Sequence, residues 1–191
     1  MDGWPEKGIH RQIQTVLTGM QVKVQEIKLI AEEAESYSGQ GQRPEVYIER
    51  LTEMNVEAET SAKYFSDKLV KLDGALKKHK VWAEGGPITE PLAKTIRQIH
   101  DTEIQAKDNV DSKAARFEVM LKRAAKIPAD ARSDSRVSAP LKKFEETATQ
   151  LSKNIAAVKR DQAQSLVYLN QAIGKMTQGR RDLIFHKPAR H

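Results

Sequence analysis

With 191 residues, 30% of them charged and 39% apolar, the chain is too apolar for a disordered polymer and too polar for a membrane-embedded one. It is long enough to bury a sizeable core without a metal or disulfide, and having no cysteine it has no thiol chemistry. A net charge of +6 brings anionic partners into question: nucleic acid, a membrane surface or an acidic protein.

Residues Met1 to Gln14 are polar and contain no apolar run of the kind a secretory signal needs. No stretch approaches the ~20 apolar residues of a bilayer span. The expectation is a soluble protein, cytoplasmic or peripheral to a membrane, with export by a non-Sec route left open.

Four helix-length stretches share one apolar period, separated by three breaks at Tyr37 to Arg43, Ala83 to Pro87 and Ile127 to Ala139. The first predicted helix covers about 5–36. Ile9, Ile13, Val16, Met20, Lys23, Ile27, Ile30 and Ala34 alternate spacings of four and three, and Leu17, Val24 and Ala31 widen the stripe. Pro5 suits a first helical position, where a missing N–H costs nothing.

The second predicted helix covers about 44–82, with Ile48, Leu51, Asn55, Ala58, Ala62, Phe65, Leu69, Leu72, Leu76 and His79 in register. Gly85, Gly86 and Pro87 stop it. The third covers about 90–127 with Thr89 as N-cap. Its stripe is Leu92, Ile96, Ile99, Glu103, Ala106, Val110, Lys113, Phe117, Met120, Ala124 and Ile127. The fourth covers about 138–178 with Ser138 as N-cap and Pro140 in its first turn. Val137, Leu141, Phe144, Ala148, Leu151, Ile155, Val158, Gln162, Ser165, Leu169, Ala172 and Met176 form its stripe. Gly174 and Gly179 are expected to loosen its end, leaving 179–191 as an irregular tail. The Ile127 to Ala139 connection is the expected mobile loop.

A sustained 3.5-residue period favours near-parallel packing with a left-handed supercoil. Short connections make sequence neighbours antiparallel. The predicted fold is therefore all-α: one domain spanning 1–191, an elongated antiparallel up-down-up-down four-helix bundle with coiled-coil-like packing. The rival is a three-helix, crescent-forming dimer of the membrane-bending kind, against which the fourth helix counts.

Asn55, Glu103, Lys113 and Gln162 occupy core positions in this register. They are expected to satisfy one another and fix helix alignment, with Glu103 near Lys68 and Lys113 near Glu57 and Glu59. His100-x-x-Glu103 reverses the order of a ferritin-like ligand pair and occurs once, so no metal or other cofactor is expected. No phosphate-binding glycine loop, dinucleotide fingerprint or zinc-protease motif is present. No serine stands in an evident triad, and the chain reads as a non-enzyme.

Charge is expected to separate along the bundle. Residues 77–97 carry Lys77, Lys78, Lys80, Lys94 and Arg97 against Glu84 and Glu90, a net +3. Residues 175–191 carry Lys175, Arg180, Arg181, Lys187 and Arg190 against Asp182, a net +4. The antiparallel topology brings both stretches to one end, together with the N-terminus, Trp4 and Trp82. Cations near helix C-termini also satisfy the macrodipole, which accounts for part of this clustering.

Tryptophan among lysines and arginines is the composition of an interfacial anchor or a stacking site. The expected docking residues are Trp4, Lys77, Lys78, Lys80, Trp82, Lys94, Arg97, Arg180, Arg181, Lys187 and Arg190, and the expected partner is acidic phospholipid or an acidic protein. In architecture alone this reading is similar to the four-helix membrane-localisation modules of bacterial toxins and effectors, a resemblance that implies a bundle tip meeting anionic lipid. The alternatives are an assembly protein that forms a homo-oligomer or pairs with a helical partner, and, below that, a nucleic-acid-binding protein.

Overall fold

The structure is a computed structural model describing residues 13–27 and 43–185, with side-chain surroundings through Met176. Described residues are helical except at short connections, and none forms a strand. Residues 13–27 form α1. It is followed by α2 (Pro44–Glu84), α3 (Glu90–Ala125), the four-residue α4 (Ala129–Arg132) and α5 (Ser135–Phe185). The long helices pack against one another. The expected start at Pro5, the positions Ile9, Ile30, Ala31 and Ala34, and residues 37–42 of the first break lie outside the described residues.

The chain divides into two compact units, and α2, α3 and α5 contribute to both. Unit 1 contains residues 1–54 and 115–142, and unit 2 contains 55–114 and 143–191. Tyr47, Leu51, Met54, Phe117, Met120, Ala124, Ile127, Val137 and Leu141 are the buried apolar residues of unit 1. All but Ile127, which lies between α3 and α4, follow their helix period, so the 3.6-residue repeat brings one stripe of each helix inward.

In unit 2 the side-chain pairs give the helix directions. Lys143 Nζ lies 2.7 Å from Glu59 Oε1, and His79 meets Ser165 at 2.8 Å. Contacts from α2 to α5 thus advance together, and the two helices run the same way. Lys113 Nζ lies 4.7 Å from the Tyr64 ring centre, and Lys159 lies 3.9 Å from Asp111. Ala93 and Ile96, near the start of α3, cluster with Leu169, Ala172 and Met176 of α5 and with Trp82 of α2. Contacts thus run back along α3 as they advance along α2 and α5, and α3 runs against both.

All twelve expected core positions of α5 are buried. On α2, Leu51, Asn55, Ala58, Phe65, Leu72 and His79 are buried, whereas Ile48, Ala62, Leu69 and Leu76 are half-buried. The expected core role of Lys113 is overturned. It is exposed, and its ammonium rests over the face of Tyr64, a cation–π placement that keeps the charge in water while the stem packs. The expected acidic partner Glu59 pairs with Lys143 instead.

The helix ends differ from expectation for local reasons. Asp134, not Ser138, caps α5: its Oδ1 accepts the Arg136 N–H at 2.9 Å, and its carbonyl accepts from Val137 and Ser138. This places Pro140 inside the helix, beyond the first turn. The Ile127 to Ala139 stretch carries α4 in place of an irregular loop. Arg132 holds it by donating to the carbonyls of Ile127 and Ala124, both at 2.9 Å, and of Ala125 at 3.2 Å. Ala124 and Ala125 end α3, where carbonyls lack an i+4 helical partner, and Ile127 follows them in the connection to α4. At the other end, α5 continues through Gly174 and Gly179 to Phe185, so residues 179–185 are helix where a tail was expected. Residues 186–191 lie outside the described residues.

The stripe of α1 is the largest departure. Ile13, Val16, Leu17, Met20, Val24 and Ile27 are all exposed, between 49% and 65%, where the register had placed them in a common core.

Candidate anionic-surface docking site

The end of unit 2 where α2 stops and α3 begins collects most of the described candidate residues. Its foundation is apolar. Ala93 and Ile96 of α3 and Leu169, Ala172 and Met176 of α5 form a buried cluster, with Trp82, Ile88, Leu92, Ile99, Leu166 and Ile173 packed against it. Trp82 therefore serves the core: its ring is half-buried and stacks on His79 at 5.2 Å with an interplanar angle of 23°. Lys78 also lies over that ring, its Nζ 5.1 Å from the ring centre.

Beneath Trp82 lies a buried polar pair. His79 Nδ1 and Ser165 Oγ are 2.8 Å apart, with His79 3% and Ser165 0% exposed. Loss of solvent around the imidazole, and then the neighbouring Lys78 charge, push the His79 pKa below its usual 6.5. A histidine beside a serine is the first half of a nucleophile–base arrangement. Here both residues are buried, and the pair satisfies two polar groups within the core.

The end of α2 has no basic residue in its last turn. Lys175 of α5 supplies the cation, donating to the carbonyls of Trp82 at 3.2 Å, Gly86 at 3.2 Å and Gly85. A charged donor at a helix C-terminus satisfies both the unpaired carbonyls and the macrodipole. Gly85 fits tightly in this turn. A Cβ there would fall 2.5 Å from the Val81 carbonyl oxygen, so the position excludes larger residues.

The remaining cations face water. Lys80, Lys94 and Arg97 are exposed, and none pairs with a described acidic side chain. Lys77 is exposed and lies 3.0 Å from Asp73 one turn earlier, a contact of the kind that contributes little. The structure thus brings Lys77, Lys78, Lys80, Trp82, Lys94 and Arg97 to one end of unit 2. Arg180 and Arg181 fall within α5, but their side chains lie outside the described set, as do Trp4, Lys187 and Arg190.

Sequence reasoning missed the capping role of Lys175 and the His79–Ser165 pair. The absence of a basic residue in the last turn of α2 hints at the first. Nothing local hints at the second, because its members are 86 residues apart.

Two further polar positions are unusual. Glu103 Oε2 and Gln162 Nε2 are buried and have no hydrogen-bond partner among the described residues. The expectation that core polar groups satisfy one another does not hold for these atoms. Among the described residues no group of three His, Asp or Glu side chains is placed to hold a metal ion, and no helix is long and apolar enough to cross a membrane.

In comparisons with known proteins, no family model, curated protein or solved structure matches this chain.

Proposed function

We propose that this chain is a non-catalytic helical-bundle interaction module whose basic end docks an anionic surface, with acidic phospholipid the favoured partner and an acidic protein the alternative. The observation that carries the reading is the group formed by Lys80, Lys94 and Arg97. Three exposed cations without a described acidic partner stand beside Lys78 on a rigid, packed helix end. Each basic residue near an anionic leaflet contributes about 1 kcal/mol, so four supply on the order of 4 kcal/mol before screening. Trp82 acts in this reading as the support that holds Lys78, not as an inserted anchor, because its ring is committed to His79.

Flotation with vesicles of graded anionic-lipid content tests the proposal. Binding should rise with lipid charge, weaken as salt shortens the Debye length, and fall at least tenfold when Lys80, Lys94 and Arg97 are all changed to Glu. Binding that ignores salt and survives the triple change would reject it.

A further inference from the structure

The exposed stripe of α1 is not explained by the basic end. The described turns of α1 direct their large apolar side chains to solvent, and an apolar stripe of this kind is stabilised chiefly by packing against a partner. Ile13, Val16, Leu17, Met20, Val24 and Ile27, each 49% to 65% exposed, together present on the order of 600 Å² of apolar surface, the upper end of what a monomer leaves uncovered. We propose that α1 pairs with α1 of a second copy of this chain in an antiparallel, two-fold-symmetric contact. The inference is independent of the docking function proposed above.

Three observations favour a second copy over other occupants. The first is area. Two such faces closed on each other remove at most roughly 1,200 Å², a ceiling that meets the lower bound of a standard stable interface. The second is charge. The chain carries +6, yet among the described residues of α1 the charged side chains are Lys23 and Glu26, and the face away from the stripe holds Gln14, Thr15, Thr18, Gln21 and Gln25 with the half-buried Val22. The net charge over these residues is zero, and Lys23, which falls at the seam opposite Met20 of the partner subunit, packs its stem there with its ammonium toward water. The described turns also lack the run of Lys and Arg that an interfacial membrane helix of the common type carries along its polar face.

The third is self-complementarity. With Ile13, Met20 and Ile27 at one heptad position and Val16 and Lys23 at the other, Leu17 and Val24 form an apolar row along one edge only. The opposite edge carries Gly19 and Glu26. In an antiparallel pair the same edge of each helix meets. Leu17 then lies opposite Val24 of the partner subunit, and the contact repeats by symmetry. Gly19 falls opposite Glu26 of the partner subunit, so the two glutamates do not face each other. A Cβ at Gly19 would meet nothing within 4 Å, leaving open space on that edge for the incoming side chain. A parallel pair would set the apolar row against the polar edge, which wastes the complementarity.

Light scattering on the full chain tests the pairing. The expected mass is twice the 21.5 kDa of one chain, falling to one chain in the Leu17→Glu/Val24→Glu variant. Those side chains are outside the core, so the variant should keep the thermal transition of the packed helices. Register is read by oxidative cross-linking, to which the chain contributes no cysteine of its own. A mixture of Leu17→Cys and Val24→Cys chains should cross-link faster than either variant alone. A single-chain mass for the native protein up to millimolar concentration overturns the proposal, as does a dimer indifferent to the double substitution. Faster cross-linking of Leu17→Cys with itself overturns the antiparallel arrangement. Flotation on uncharged vesicles that the double variant loses, with a single-chain mass, assigns the stripe to lipid instead and also overturns it.

Discussion

His79 is 3% exposed, with its Nδ1 on Ser165 and its ring on Trp82, and this placement couples stability to pH. Burial and Lys78 lower its pKa below 6.5 in the folded chain. Between the two values the unfolded chain binds a proton that the folded chain does not. Stability is therefore complete above about 6.5 and falls as pH drops through that value toward the lower folded one. Urea melts on either side of this window should show the loss, and His79→Phe should flatten it. Gln162 makes the opposite point. Its buried Nε2 lacks a partner, a condition that costs about 1–3 kcal/mol. Gln162→Met should raise stability by about 1 kcal/mol, read as a higher urea midpoint with unchanged slope.

At the scale of elements, the helix ends are held by side chains from outside the helix they close. Lys175 closes α2 across some 90 residues, and Arg132 closes α3 from within α4. Lys175→Met should cost about 1.5–3 kcal/mol, the range for hydrogen bonds to a charged group, with faster amide exchange concentrated around Trp82 to Gly86. Asp134→Ala should fray the first turn of α5, visible as lost amide protection at Arg136 to Ser138. The helices themselves were legible because the apolar period runs unbroken from Val137 to Met176 and from Leu51 to His79, and Gly85-Gly86-Pro87 cannot continue a helix. Their caps were less legible. Ser138 and Asp134 are both acceptable N-caps by residue type, and only the geometry of the α4 turn puts the Asp134 carboxylate over the Arg136 N–H.

At the scale of the whole molecule, the candidate site is a matter of which cations remain free once the fold has used the others. By composition Lys77, Lys78, Lys80, Lys94, Arg97 and Lys175 are equivalent. Packing separates them: Lys175 is spent on carbonyls, Lys78 sits on an indole, and Lys80, Lys94 and Arg97 stay in solvent. Reversing charge at Lys80, Lys94 and Arg97 should therefore weaken anionic-vesicle binding far more than removing Lys175, whose loss should register in stability first. The two measurements, flotation and denaturant midpoint, should sort the cations into these two groups.

Period and punctuation determine by themselves that this chain is helical, where α2 and α3 begin, and which face of α5 is buried. Those properties are local, set by i, i+3 and i+4 neighbours and by residues that break a helix. Tertiary structure alone decided that His79 meets Ser165, that Lys113 leaves the core for Tyr64, and that the stripe of α1 stays uncovered. An apolar stripe specifies that a helix needs a partner, but not which one. The identity of the partner depends on contacts between residues tens of positions apart, and no local pattern encodes them.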